Sequence, residues 1–342
     1  MASEASLCET SSYGSGLRKF HLFCDIFTIP EPQRLPASFE LLHSFALWAA
    51  SDPSLLSAEI VDRTLFEPVS VSVVKKYLAA VRAWHIAQGW APPLSEDNHQ
   101  RVNWSLRGLE NLYGSRKRPL RPPITLKMLH ALRLTLDTSN NPFDACIWAM
   151  ATCAFWGMMR FGEVSVTSRN AFSGDKHLKR KDVFFGQDLD NKPYARLDLP
   201  SAKTAKPGDT QAVFLVEQGD LCPLAALRNL AQVVPAGAED PLFSWRDNQG
   251  AVCPIVKAKA ITRINTILGA WGWGTTFGHS FRIGGASYYL AQKVNPEIIR
   301  IAGRWKSLAY EAYIRAFENV VSHHIGNLSL QSDNVSPTAG LG

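Results

Sequence analysis

FGHSFRIGGASYYL, residues 277–290, places a histidine, an arginine and three small residues in one predicted helix. His279 and Arg282 stand three residues apart, so a helix carries both on one face. Gly284, Gly285 and Ala286 follow directly, with little or no side chain, so that another backbone or a ligand is able to come close. A single His-x-x-Arg spacing arises often by chance and describes an ordinary surface pair. Its weight comes from its flanks: FWGMMRFGEV upstream, residues 155–164, and IAGRWKSLAYEAYIRAF downstream, residues 301–317.

Around these segments the second half of the chain reads as helices enclosing a small sheet. Helices are predicted near Thr125–Asp137, Pro142–Trp156, Leu221–Val233, Lys257–Ala270, His279–Ala291, Pro296–Ala302 and Leu308–Ile325. Asn295 before Pro296 is a good N-cap with proline in the first turn, and Gly303 ends that helix. Val183–Gly186, Tyr194–Leu199 and Ala212–Val216 are short, β-rich and bounded by Gly, Pro and Asp, which predicts three strands.

The first 114 residues read as helices separated by proline-marked loops: Leu17–Phe27, then Ser38–Ala50 closed by Pro53, then Ser70–Gln88. In the last of these, Val71, Val74, Leu78 and Val81 follow helical spacing, Ser70 is a candidate N-cap and Gly89 a candidate C′ glycine. Lys75, Lys76 and Arg82 lie on the other side and form a basic stripe. GSRKRPLRPP, residues 114–123, combines Arg116, Lys117, Arg118 and Arg121 with three prolines and reads as an extended linker. The expected division is therefore a helical domain over 1–114, a basic linker over 115–124, a second domain over 125–328 and a disordered tail over 329–342.

With 342 residues, 46% hydrophobic and 19% charged, the chain has enough apolar material for two domains and is not a mainly disordered one. The longest nearly apolar window, Cys146–Met159, has 14 residues, too few to span a bilayer. The N-terminus carries no secretory pattern, and six scattered cysteines without a CxxC pair read as reduced intracellular thiols. Charge is unevenly placed: residues 1–67 hold 4 Lys/Arg against 9 Asp/Glu, and residues 68–124 hold 9 against 3. A basic section of this kind is suited to a polyanion, although many soluble proteins carry a solvated basic face.

GHSFRIGGA, PEIIRIAGRW and AYIR occur in the order, and nearly at the spacing, of the tyrosine recombinases, and the chain resembles the phage integrase and Cre type of that family. The resemblance covers roughly residues 125–328 through its motifs and extends to the helical first half, which is similar to the family's core-binding domain. It implies a mainly α fold with a small antiparallel β-sheet, in two domains that clamp duplex DNA. It implies a DNA breaking and rejoining enzyme that uses no metal or nucleotide cofactor and works as a homotetramer on two DNA sites. By the same resemblance Arg160 and Arg282 are the catalytic arginines, Glu163 the acidic residue supporting them, and His279 the histidine of the HxxR pair. Trp305 stands where members carry His or Trp, Lys203 matches the β-hairpin lysine, with Lys206 as its rival, and Tyr313 matches the nucleophile. Tyr313 follows Trp305 by eight residues where familiar members have nine; Tyr310 would need a larger shortening. GRW and this short spacing resemble recombinases of eukaryotic mobile elements, which would imply a nuclear location.

The residue types suit the chemistry. In-line displacement at a phosphodiester places negative charge on the non-bridging oxygens, and two arginines offer forked donors to them. A tyrosine hydroxyl with a pKa near ~10 needs a neighbouring base or cationic field, which His279 would supply. A lysine would protonate the departing 5′ oxygen. Singly, each residue has a plain alternative: Arg160–Glu163 as a surface pair, Trp305 as core, Lys203 as a loop lysine, Tyr313 as packing. Two other activities share much of the pattern: type IB topoisomerase relaxation, and DNA binding by a retired recombinase.

Overall fold

The computed structural model describes residues 13–51, 68–113, 122–201 and 211–305. It divides into two units, Met1–Pro119 and Leu120–Gly342. Lys203, Lys206, Tyr310, Tyr313, Arg116, Lys117, Arg118 and Arg121 lie outside the described residues, as do Pro53, the predicted helix Leu308–Ile325 and the tail over 329–342.

In the first unit the described residues form five helices, α1 (Tyr13–Ile26), α2 (Glu31–Arg34), α3 (Phe39–Ala50), α4 (Val71–Ala87) and α5 (Glu96–Tyr113). Their core is largely aromatic. Phe20 meets Phe45 edge-on at 5.3 Å, Phe23 lies 5.2 Å from Trp48, and Val74, Leu78, Val81 and Trp84 of α4 complete it. Each such side chain contributes on the order of 1.5–3 kcal/mol by leaving water. Ser38 caps α3, its Oγ accepting from the Leu41 N–H at 3.2 Å. Ser70 precedes α4 but makes no such bond, because its hydroxyl pairs with that of Ser72 at 3.0 Å. Gly89 takes φ +83 just beyond α4, the C′ role its position predicts.

Helix α5 was not among the predicted elements. Its many polar residues mask a sparse apolar face, of which Val102 and Leu106 are buried. Ser95 opens it, with Oγ accepting from the Asn98 N–H at 3.3 Å.

The second unit is organised on α7 (Pro142–Trp156), whose residues from Asp144 to Trp156 are all buried. A helix apolar on every side belongs at the centre of a domain, which accounts for the long apolar window without a membrane. Asn141 caps α7 through Phe143 and Asp144. Buried Asp144 takes a two-pronged bond from Arg263, at 3.0 and 2.8 Å, and so ties α7 to α10 (Lys257–Ala270). Around α7 lie α6 (Leu126–Thr135), α9 (Pro223–Val233) and α11 (Gly278–Ala291); α8 (Phe161–Val164) and α12 (Pro296–Ala302) are short. The cap of α12 is the expected one, Asn295 accepting from Glu297.

The three predicted strands form one antiparallel sheet in the order β1 (Val183–Gln187), β2 (Pro193–Leu199), β3 (Gln211–Val216). Phe184 is registered with Arg196, and Arg196 with Phe214. Ala195, Leu197 and Leu199 alternate inward with Val213 and Leu215, the period of a half-buried sheet. A hairpin of β4 (Ser244–Arg246) and β5 (Val252–Pro254) was not expected, since three residues are too few for a periodic signal.

Among the described residues no helix is long and apolar enough to cross a membrane. Cys24, Cys146, Cys153, Cys222 and Cys253 are unpaired and buried, and burial pushes the Cys24 thiol up to about 11. Cys8 lies outside the described residues.

Candidate active site

Arg160 lies where α7 gives way to α8. Helix α7 stops at Gly157, Met158 turns back with φ +45, and Arg160 takes the N-cap position of α8. That turn places Glu163 one residue triplet onward, with its carboxylate folded back. Oε2 accepts from the Arg160 backbone N–H at 2.9 Å and Oε1 from Arg160 Nη1 at 2.9 Å. The Arg160 side chain is 20% exposed and that of Glu163 7%, so the pair is no solvated surface bridge.

Arg282 is among the most deeply buried side chains of the protein. Its Nη1 donates to the Met158 carbonyl and its Nη2 to the Gly303 carbonyl. The guanidinium also lies 4.2 Å from the centre of the Trp305 ring. One side chain thus joins the turn before Arg160 to the loop after α12. His279 stands one turn earlier on α11 and is half-buried.

Three glycines permit these approaches. A Cβ on Gly284 would fall 2.1 Å from the Ile124 carbonyl oxygen, and one on Gly285 would fall 2.0 Å from that of Phe155. The small-residue run after Arg282 therefore admits neighbouring backbone, one of the two uses its composition suggests. A Cβ on Gly303 would meet the Trp305 ring at 1.7 Å. Gly303 itself has an ordinary helical φ, and the left-handed turn falls on Arg304, φ +59. Gly303 does end α12, but its small size serves the tryptophan ring.

Trp305 packs with Met158, Ala286 and Ile299. It is part of the core, and the face of its ring also carries Arg282. Arg304 was not among the predicted site residues. Its Nη2 donates to Glu163 Oε2 at 2.7 Å, and the two side chains are 6% and 7% exposed. Burial pushes the Arg304 guanidinium below its ordinary value; Glu163 opposes that shift and nearby Arg160 adds to it. The signal in the sequence is the basic residue inside GRW, next to Trp305.

Tyr289, on α11, donates its hydroxyl to the Trp156 carbonyl at 3.0 Å, and burial pushes its pKa up to about 12. It fastens α11 to α7 and is a poor nucleophile. The predicted nucleophile Tyr313 and the candidate acids Lys203 and Lys206 lie outside the described residues.

In the first unit Lys75, Lys76 and Arg82 are exposed along α4, as predicted. Lys75 also borders an open depression of about 770 Å³ with Asp97, Gln100, Arg101, Asn103, Trp104 and Arg107 of α5. Trp104 is 79% exposed. Arg101, Trp104 and Arg107 recur at three-residue steps, a helical signal that was legible but unused.

No family model matches the chain, and no curated protein matches it. Solved structures do. One is the XerH site-specific recombinase bound to difH substrate in a pre-cleavage complex: 14% identity, 88% of this chain and 74% of that chain covered, TM-score 0.50. Another is XerH bound to palindromic difH substrate in a post-cleavage complex: 13% identity, 95% and 78% covered, TM-score 0.53. Neither supports the expected placement among recombinases of eukaryotic mobile elements or the nuclear location it implied. A mainly helical chain with a small antiparallel sheet, matched along most of its length by these structures, has the fold of the tyrosine recombinases.

Proposed function

We propose that this protein is a site-specific DNA recombinase that cuts and rejoins duplex DNA through a 3′-phosphotyrosyl intermediate. The observation that carries this reading is the convergence of Arg160 and Arg282, distant in sequence, on one loop, Gly303–Trp305. Arg282 bonds Gly303 and lies against Trp305, while Arg160 is joined to Arg304 through Glu163. Two arginines held by such a frame need little reorganisation when a phosphate arrives, which is how fixed donors lower a charged transition state.

In this reading Arg160 and Arg282 bind the non-bridging oxygens of the scissile phosphate, and His279 assists proton removal from Tyr313. Tyr313 attacks phosphorus, the bond to the 5′ oxygen breaks, and Lys203 or Lys206 protonates that oxygen. The phosphotyrosyl ester retains the energy of the broken phosphodiester, so a second 5′ hydroxyl reverses the step without ATP or metal. The exposed basic residues of α4 and α5, with Trp104, would hold flanking duplex. The resemblance that supports the mechanism also supports a tetramer acting on two DNA sites.

The test is incubation with nicked suicide duplexes, from which the cut strand diffuses away and leaves the adduct trapped. A covalent protein–DNA band whose attached residue maps to Tyr313, absent in Tyr313→Phe with DNA binding retained, is the expected result. No adduct on any duplex that the protein binds would leave only a DNA-binding role.

A further inference from the structure

The Glu163 carboxylate is held by two arginines. Oε1 and Oε2 both bond Arg160, through Nη1 and through the backbone N–H, and Oε2 also accepts from Arg304 Nη2. Glu163 and Arg304 are almost fully enclosed, so water screens their charges weakly. Arg160 and Glu163 alone sum to zero charge, so that pair would add little to Arg282 in attracting a phosphate. Arg304 returns the group to a net +1. Among the described residues no second carboxylate consumes that charge: Nε and Nη1 of Arg304 are buried and meet no acceptor there. The residue also accepts a left-handed backbone, φ +59, that an arginine seldom adopts.

We propose that Arg304 is a positioning and charge-balancing residue, which holds the Glu163 carboxylate against the Arg160 backbone and leaves the Arg160 guanidinium electrically available to a phosphate. This deepens the recombinase reading and rests on it for the reaction, but it makes a statement about anion binding that needs no DNA cleavage. Its signature is that charge counts and the identity of the side chain does not. Arg304→Gln takes the group to zero, Glu163→Gln to +2, and the double variant back to +1.

The experiment measures inorganic phosphate binding to the full-length protein by phosphorus NMR, together with single-turnover adduct formation on a nicked suicide duplex. Arg304→Gln should weaken phosphate binding by about tenfold or more, the scale of one unit charge lost at close range in a protein site. Arg304→Lys should stay within about threefold of the parent, and Glu163→Gln should bind more tightly. The double variant E163Q/R304Q should return to within about threefold of the parent. A double variant as weak as Arg304→Gln would refute the inference, because Arg304 would then touch the anion itself. Arg304→Lys as damaging as Arg304→Gln, with both losses tracking a lowered Tm, would also refute it. If Arg304→Gln does not fold, the double variant, which leaves no buried charge unpaired at Glu163, decides the question alone against the parent. A parent that binds phosphate in this charge order but forms no adduct would refute the recombinase reading and uphold the inference.

Discussion

Gly285→Ala places one methyl group where α11 passes close to the backbone at the end of α7. The new Cβ would stand 2.0 Å from the Phe155 carbonyl oxygen, at least 1.0 Å inside the 3.0 Å that real Cβ atoms keep, so α11 must retreat from the end of α7 by about that amount. The obstacle is backbone and no side chain can rotate away. Overpacking of this kind costs about 1–3 kcal/mol. The retreat also stretches the bond from Arg282, on the preceding turn of α11, to the Met158 carbonyl, and a bond from a charged donor is worth about 1.5–3 kcal/mol. The sum, ~2.5–6 kcal/mol, is a large part of the ~5–15 kcal/mol stability of an ordinary domain. If Arg282 binds the transition state as proposed, its displacement by near 1 Å should also slow adduct formation about 10²-fold. Gly269→Ala, in α10, is the control: a Cβ there meets nothing within 4 Å. It should stabilise by about 0.5–1 kcal/mol through the lower helix propensity of glycine. Urea unfolding followed by tryptophan fluorescence, with adduct formation timed on the same samples, reads both. If Gly285→Ala unfolds within 1 kcal/mol of the parent and cleaves normally, the close approach of α11 to α7 is refuted.

If a lysine protonates the leaving 5′ oxygen, replacing that oxygen with sulfur should rescue Lys203→Ala, which on normal DNA should lose about 10²–10⁴-fold in rate; rescue of Lys206→Ala alone would reassign the acid, and rescue of Arg282→Ala would contradict its role on the non-bridging oxygens. Replacing Lys75, Arg101 and Arg107 with alanine should reduce the salt dependence of duplex binding by about one unit for each true phosphate contact, and an unchanged slope would remove this face from the DNA. His85 is fully buried, its Nε2 accepting from the Ala37 N–H at 2.8 Å and its Nδ1 paired with the Val81 carbonyl. Burial lowers its pKa, so below about pH 6.5 the unfolded chain binds a proton that the folded chain does not. Stability of the first unit should thus be complete above that pH and fall as pH drops toward the folded pKa. Urea titrations from pH 8 to 5 should show that slope and His85→Gln should flatten it; an equal slope in the variant would assign the effect elsewhere.

Much of the second unit was legible because its signals are local. Asn141 and Pro142 open α7, Asn295 and Pro296 open α12, and alternating Ala195, Leu197 and Leu199 mark an inward strand face. Caps and periodicity act between residues at most four apart, so the sequence alone carries them. The same reasoning passed over α5, whose polar residues dilute its apolar face, and β4 and β5, which are too short to show a period.

The residues Arg160, Glu163, His279, Arg282 and Trp305 could be named through the family resemblance, but their physical relations could not. The chain determined by itself that Gly284 and Gly285 leave room. Only the packed helices decided that the Ile124 and Phe155 carbonyls fill it. Arg304 shows the limit most clearly: its partner Glu163 is 141 residues away, its left-handed backbone is imposed by the loop, and its charge matters because both side chains are enclosed. Burial and long-range pairing are properties of the assembled core, and an electrostatic group of three residues exists only once that core has excluded the water between them.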